Sequence, residues 1–284
     1  MSDRTELHWI ITSLLVIFLA VGCGGDGGDA GSSGKDSSSG AASVENPVDA
    51  STAGNISGTV AFEGDAPTME TIDMAAEEAC AAKHSSAPTS ENVLVNDNGT
   101  LANVFVYVKS GLEDLSFPTP EPTLLDQDGC TYIPHVLGVM TDQDINIRNS
   151  DGILHNINAT PVEQRGFNTS QPVNMETSRS FGVSEVMIPI RCDVHGWMAA
   201  YIGVLSHPYH SVSSSEGSFD LATLPPGDYV IEAWHEYYGT QTQNVTVATG
   251  ETAEITFTFS ASMAGAVIPL GEAIDLHKHA NDTD

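Results

Sequence analysis

The chain has 284 residues, with 38 acidic and 9 basic side chains and a formal charge of −29 at pH 7. A field of that sign excludes nucleic acid and anionic lipid headgroups as partners, because both need cationic contacts. Two readings of the charge stay open: attraction of cationic partners, or the solubility that proteins of high-salt organisms draw from distributed acidic charge.

In chain order, the first element is "IITSLLVIFLAVG" (10–22), an uncharged run of thirteen residues behind a short polar start whose firm positive charge is Arg4. A bilayer-spanning helix needs about 20 apolar residues, so the run fits the hydrophobic region of a secretory signal over residues 1–22. "LAVGC" resembles the lipobox of exported bacterial lipoproteins. That resemblance implies removal of the signal and lipidation of Cys23. With Gly24 following, it also implies a lipid-anchored place in the cell envelope, at the outer membrane facing the periplasm or the cell surface. Plain secretion and a retained membrane anchor are the alternatives. Residues 23–52 are dominated by Gly, Ser, Ala and Asp and read as a flexible tether.

Beyond the tether, "MAAEEACAAKH" (74–84) carries high helix propensity and is expected to form a helical insertion. The other periodic stretches are rich in β-branched and aromatic residues and read as strands: 55–64, 101–111, 144–151, 153–159, 185–192 and 199–206. Residues 160–182 are polar and loop-like. A second group of strands follows position 209: 217–224, a "PPG" turn, 228–236, 242–250 and 251–259. The pattern "G.F.L..LPPGDYVIEAWH...G" resembles the carboxypeptidase regulatory-like domain, and the resemblance implies a non-catalytic, transthyretin-like sandwich over 209–260. The tail 261–284 reads as loosely ordered.

"RCDVHGWM" (191–198) places Cys192, His195 and Met198 at intervals of three, and His155 sits in "NSDGILHNINA". Two imidazoles, a thiolate and a thioether are the ligand set of a mononuclear copper electron-transfer centre. Zinc accepts the same Cys and His ligands but has little use for a thioether. Each residue alone reads more readily as packing; the set in this order points to a metal. "YIPHVLGVMTDQDINIRNSDGILHN" and "RCDVHGWM" together resemble the two ligand segments of a cupredoxin, the plastocyanin-like, type 1 copper fold. The resemblance implies that His155, Cys192, His195 and Met198 hold one copper ion. It also implies that Asn149 and Asn156 bracket the first ligand and brace loops or touch the thiolate, and that His135 lies near the metal end as a supporting or electron-exit residue. The His-x2-Met spacing departs from plastocyanin-like proteins. It is closer to the dinuclear centre of oxidase subunit II, which needs a second cysteine, and no Cys follows Cys192.

Cys80 and Cys130 form an even pair in an oxidising compartment, so a disulfide is expected; closing that loop is worth roughly 4 kcal/mol in the chain-entropy account. A second metal site built from Cys80, His84, Cys130 and His135 is the competing reading. The fold class is therefore all-β: a cupredoxin-like Greek-key sandwich (53–208) followed by a smaller transthyretin-like β-sandwich. The function it suggests is a copper-binding electron carrier of the envelope, with a cationic redox protein as partner and no nucleic acid. A non-catalytic binding or adhesion module and a copper storage or delivery protein are the alternatives. No nucleophile accompanies His235 and Glu236, and the paired histidines of a second copper site are missing, so no enzyme is expected.

Overall fold

A computed structural model of the chain describes residues 44–264. The expected signal, the lipidation position Cys23, most of the tether and the tail beyond 264 lie outside the described residues. No helix among the described residues is long and apolar enough to cross a membrane.

The fold is all-β. In chain order, β1 (Gly54–Glu63) leads through the single turn α1 (Glu78–Ala81) to β2 (Phe105–Ser110). Next come β3 (Thr123–Asp128), β4 (Thr131–Ile133), β5 (Val136–Met140), β6 (Ile145–Asn149), β7 (His155–Ala159), β8 (Phe167–Gln171) and β9 (Met175–Arg179). β10 (Glu185–Arg191), β11 (Ala199–Leu205), β12 (His210–Val212) and β13 (Ser218–Leu224) follow. β14 (Gly227–His235), β15 (Gly239–Val247) and β16 (Thr252–Ser260) complete the set.

These strands make four sheets in two sandwiches. A sheet ordered β13-β1-β16 faces one ordered β12-β2-β14-β15 across a core that includes Ile56, Val60, Val106, Leu221, Ile231 and Phe257. A sheet ordered β4-β3-β6-β9 faces one ordered β5-β11-β10-β7-β8 across a second core that includes Leu125, Ile147, Ile157, Ile188 and Ile202. β1 pairs in parallel with β16 and antiparallel with β13, while β2 pairs antiparallel with β12 and β14. The expected boundaries, 53–208 and 209–260, therefore need correction. The first two strands belong with the last five, and residues 123–205 form a second sandwich inserted between β2 and β12. The sequence conceals this because a strand's alternation shows that it is half-buried, not which partner buries it.

Strand periodicity also explains how the two sandwiches join. Along β2, Val106 and Val108 enter the first core, while Phe105 and Tyr107 point the opposite way. Those two rings meet Val136, Tyr201, Leu205 and Trp234 in a third cluster between the sandwiches. Gly138 and Gly203, register partners on β5 and β11, leave room for this contact. A Cβ on Gly203 would stand 2.6 Å from the Phe105 ring, and one on Gly138 2.2 Å from His210.

Two expectations of local structure differ. Residues 160–182 contain β8 and β9, both at sheet edges. Edge strands meet water on one side and carry polar residues for that reason, so their composition imitates a loop. The helix expected over 74–84 shrinks to one turn. The Asp73 carboxylate accepts from the Ala75 N–H, Cys80 is tied to Cys130, and Lys83 and His84 reach Asp151 and the Gly129 carbonyl. An isolated helix of that length gains too little to resist such tethers.

Candidate metal centre

The centre lies at one end of the inserted sandwich, where β7 begins and the β10–β11 loop turns. His155 is the first residue of β7, and Cys192 follows the last residue of β10. The Met198 N–H donates to the His195 carbonyl at 2.9 Å, and the Cys192 N–H donates to the Met198 carbonyl at 3.3 Å. These bonds fold the loop so that Cys192 and His195 face the same point.

Donor atoms of His155, Cys192 and His195 all lie within 4.8 Å of one another, and all three residues are buried. The two Nδ1 atoms are 2.9 Å apart, and His195 Nδ1 stands 3.8 Å from the Cys192 sulfur. The sulfur also meets Asn156 Oδ1 at 3.5 Å and accepts from the His195 backbone N–H at 3.4 Å. Met198 is packed in the same buried cluster as Cys192.

Burial opposes a charge on His155, but hydrogen bonds to Asp151 and Cys192 outweigh it and push its pKa up to about 9. Burial raises the Cys192 thiol, yet the bond from His155 and nearby backbone N–H groups pull it below its ordinary value. His195 is lowered, first by burial and then by the charge on His155. Burial and hydrogen bonding thus set the three groups apart, with His155 raised and Cys192 and His195 lowered.

Asp151 was not singled out in the sequence, and it organises the site. Its carboxylate, with no exposed surface, accepts from His155 Nε2 at 2.8 Å and from the Gly129 and Cys130 N–H groups, both at 2.8 Å. Lys83 closes the ring of donors at 2.8 Å. Burial works against the ionised form, but these four donors hold the carboxyl well below the usual carboxylate range. Because Nε2 is engaged with Asp151, His155 turns Nδ1 toward the sulfur.

The other expected residues divide. Asn156 Oδ1 accepts from the Asp193 N–H at 2.7 Å and touches the thiol, while its amide donates to Asp193 and Asn168. Asn149 does not touch the sulfur. It braces the 150–154 loop, accepting from the Asp151 N–H and donating to the Ile153 and Gln171 carbonyls. His135 stands apart from the three donors, bonded through Nε2 to Glu236 and through Nδ1 to the Ala199 carbonyl. Cys80 and Cys130 form a disulfide, which overturns a second metal site drawn from Cys80, His84, Cys130 and His135. Cys80 Sγ lies 3.7 Å from His195 Nε2, so the disulfide covers the far edge of that ring. His235 is buried among Tyr238 and Phe259 rather than paired with Glu236.

In comparison with known proteins, residues 200–260 match the family model of the carboxypeptidase regulatory-like domain. No curated protein matches the chain. Among solved structures, part of the chain is similar to a copper-containing nitrite reductase from Thermus scotoductus SA-01, at 18% identity and a TM-score of 0.29. That match covers 36% of this chain and 25% of the reductase, so the chain spans about a quarter of that protein's length. It is also similar to a purple cupredoxin from Nitrosopumilus maritimus, at 17% identity and a TM-score of 0.26, over 30% of this chain and 99% of that one. A third similarity is to a methionine-to-alanine mutant of amicyanin in its Cu(I) state, at 14% identity and a TM-score of 0.26, over 35% and 97% of the two chains.

Proposed function

We propose that the chain binds one copper ion through His155, Cys192 and His195, with Met198 beside them, and carries single electrons without turning over a substrate. The observation that carries this reading is the convergence of two Nδ1 atoms and one sulfur in a buried pocket. That donor set suits copper: two imidazoles and a soft thiolate, with the nearby Asp151 carboxylate engaged elsewhere. When bound, copper supplies one-electron chemistry between Cu(I) and Cu(II). The residues of the chain do the rest. Asp151 fixes the His155 tautomer, the Asn156 and Asp193 contacts hold the Cys192 turn, and burial at 3% exposure or less keeps water from the three donors. Such rigidity favours fast electron exchange, because little has to move between oxidation states.

Burial also weighs against storage or delivery, which needs an exchangeable ion. The N-terminal "LAVGC" motif supports our further reading that the domain is exported and lipid-anchored at Cys23. Copper titration of the full-length chain tests the centre. One equivalent is expected to bind and to give a strong visible thiolate-to-Cu(II) band, lost in Cys192→Ser. Absence of the band, or a preference for zinc over copper, ends the electron-carrier reading, and rapid loss of Cu(I) to a chelator favours delivery.

A further inference from the structure

His195 has no edge open to solvent. It is 1% exposed, with Nδ1 turned toward His155 and Nε2 beneath the disulfide. The group that links it to the surface is Trp197. The two rings lie 5.2 Å apart at 39°, and the indole N–H donates to the Cys130 carbonyl at 3.0 Å. Trp197 is half-buried, and its remaining surface lines a cleft of about 520 Å³.

Four parts of the chain build that cleft, one of them the segment after α1 with Ser90 and Asn92. The segment before α1 supplies Glu70 and Asp73, the ligand loop supplies Trp197, and the turn after β14 supplies Glu236 and Tyr237. Glu70 and Asp73 are exposed, and Arg191 is the one cationic side chain of the lining. The turn belongs to the sandwich that does not carry the three donors, so the cleft exists because the two sandwiches are joined.

We propose that this cleft is the docking seat of a cationic electron-transfer protein, with Trp197 as the contact between His195 and the partner. The proposal rests on the copper reading for its purpose and on the cleft for its location. An acidic rim raises the encounter rate with a basic partner and orients it. A half-buried tryptophan at the floor is the kind of side chain that anchors an interface.

Binding is tested without copper, so its failure is separable from failure of the metal site. The metal-free full-length chain, labelled with 15N, is titrated with a basic c-type cytochrome carrying zinc in place of iron. The Trp197 indole resonance, assigned from the spectrum of Trp197→Phe, is expected to shift while that of buried Trp234 stays fixed. The double variant Glu70→Gln, Asp73→Asn is expected to bind about tenfold more weakly at low salt, a difference that vanishes when salt screens the rim. A stationary Trp197 resonance, or equal binding by the double variant, overturns the docking seat. In the copper-loaded chain, Trp197→Phe is expected to slow electron exchange with the iron cytochrome about tenfold with an unaltered visible band. An unchanged rate overturns the contact role of Trp197. A missing band in the parent chain instead indicts the copper reading and leaves the docking result standing.

Discussion

Asp151 decides which nitrogen of His155 faces the sulfur, and it does so as a buried carboxylate with four donors. Replacing it with Asn keeps the shape but removes the charge that balances Lys83 and steadies the His155 Nε2–H. Loss of such an outer partner of a metal-binding histidine commonly costs ten- to a hundredfold in affinity. Asp151→Asn is therefore expected to weaken copper binding by at least about tenfold in a chelator competition, with Cys192 and both histidines intact; unchanged affinity would show that Asp151 serves only the fold. The proposed ligands were legible because Cys192, His195 and Met198 are close in sequence and chemically unusual as a set. Asp151 was not, because its importance comes from Lys83, Gly129 and Cys130, which lie far from it along the chain. In "NSDGILHN" it looks like an ordinary turn residue.

At the scale of elements, the insertion around α1 is a cap on the β10–β11 loop. The Cys80–Cys130 disulfide closes a separation of 50 residues and rests against His195 Nε2. Loop-closure entropy alone gives it a stabilising effect of roughly 4 kcal/mol. For a domain of this size that corresponds to about 10 °C in melting temperature. Cys80→Ala with Cys130→Ala is expected to lower the melting temperature by about that amount and to open the Nε2 edge of His195 to solvent, read as faster hydrogen exchange in the ligand loop. A melting temperature within about 2–3 °C of the parent, the effect of about 1 kcal/mol, contradicts the cap. The pairing was legible because the roles expected for Cys23 and Cys192 left Cys80 and Cys130 as an even pair. The short helix was not, since propensity describes an isolated segment and Cys80, Lys83 and His84 are held by tertiary contacts. β8 and β9 were hidden for the related reason that edge strands are polar.

For the whole molecule, the junction between sandwiches makes stability depend on pH. His210, on β12, stacks on Phe105 of β2 and sits against Gly138 of β5. Burial, and after it the charge of His207, lower its pKa to about 4. An unfolded chain takes up that proton near the ordinary value of 6.5. Below 6.5 the unfolded state binds more protons than the folded one, so stability falls as pH drops toward 4, and above 6.5 the contribution is constant. At pH 5 the loss from this residue is about 2 kcal/mol. His210→Phe keeps the stack and removes the proton site. Urea unfolding at pH 7.5 and pH 5 is expected to show a smaller loss in the variant, and an equal loss contradicts the assignment. His235, pushed down to about 3 mainly by burial, acts in the same direction. The strand pairing behind this junction was not visible in the sequence, because joining β1 and β2 to strands beyond position 209 is a matter of register over long separations. What alternation along β1 and β2 did convey was that both strands face a core.

X-ray absorption at the copper edge of the loaded full-length chain tests the centre most directly, because it counts the atoms around the ion. The account predicts one short copper–sulfur contact from Cys192 and two imidazole nitrogens from His155 and His195. A first shell without sulfur, or with two short thiolate contacts drawn from Cys80 and Cys130, contradicts it.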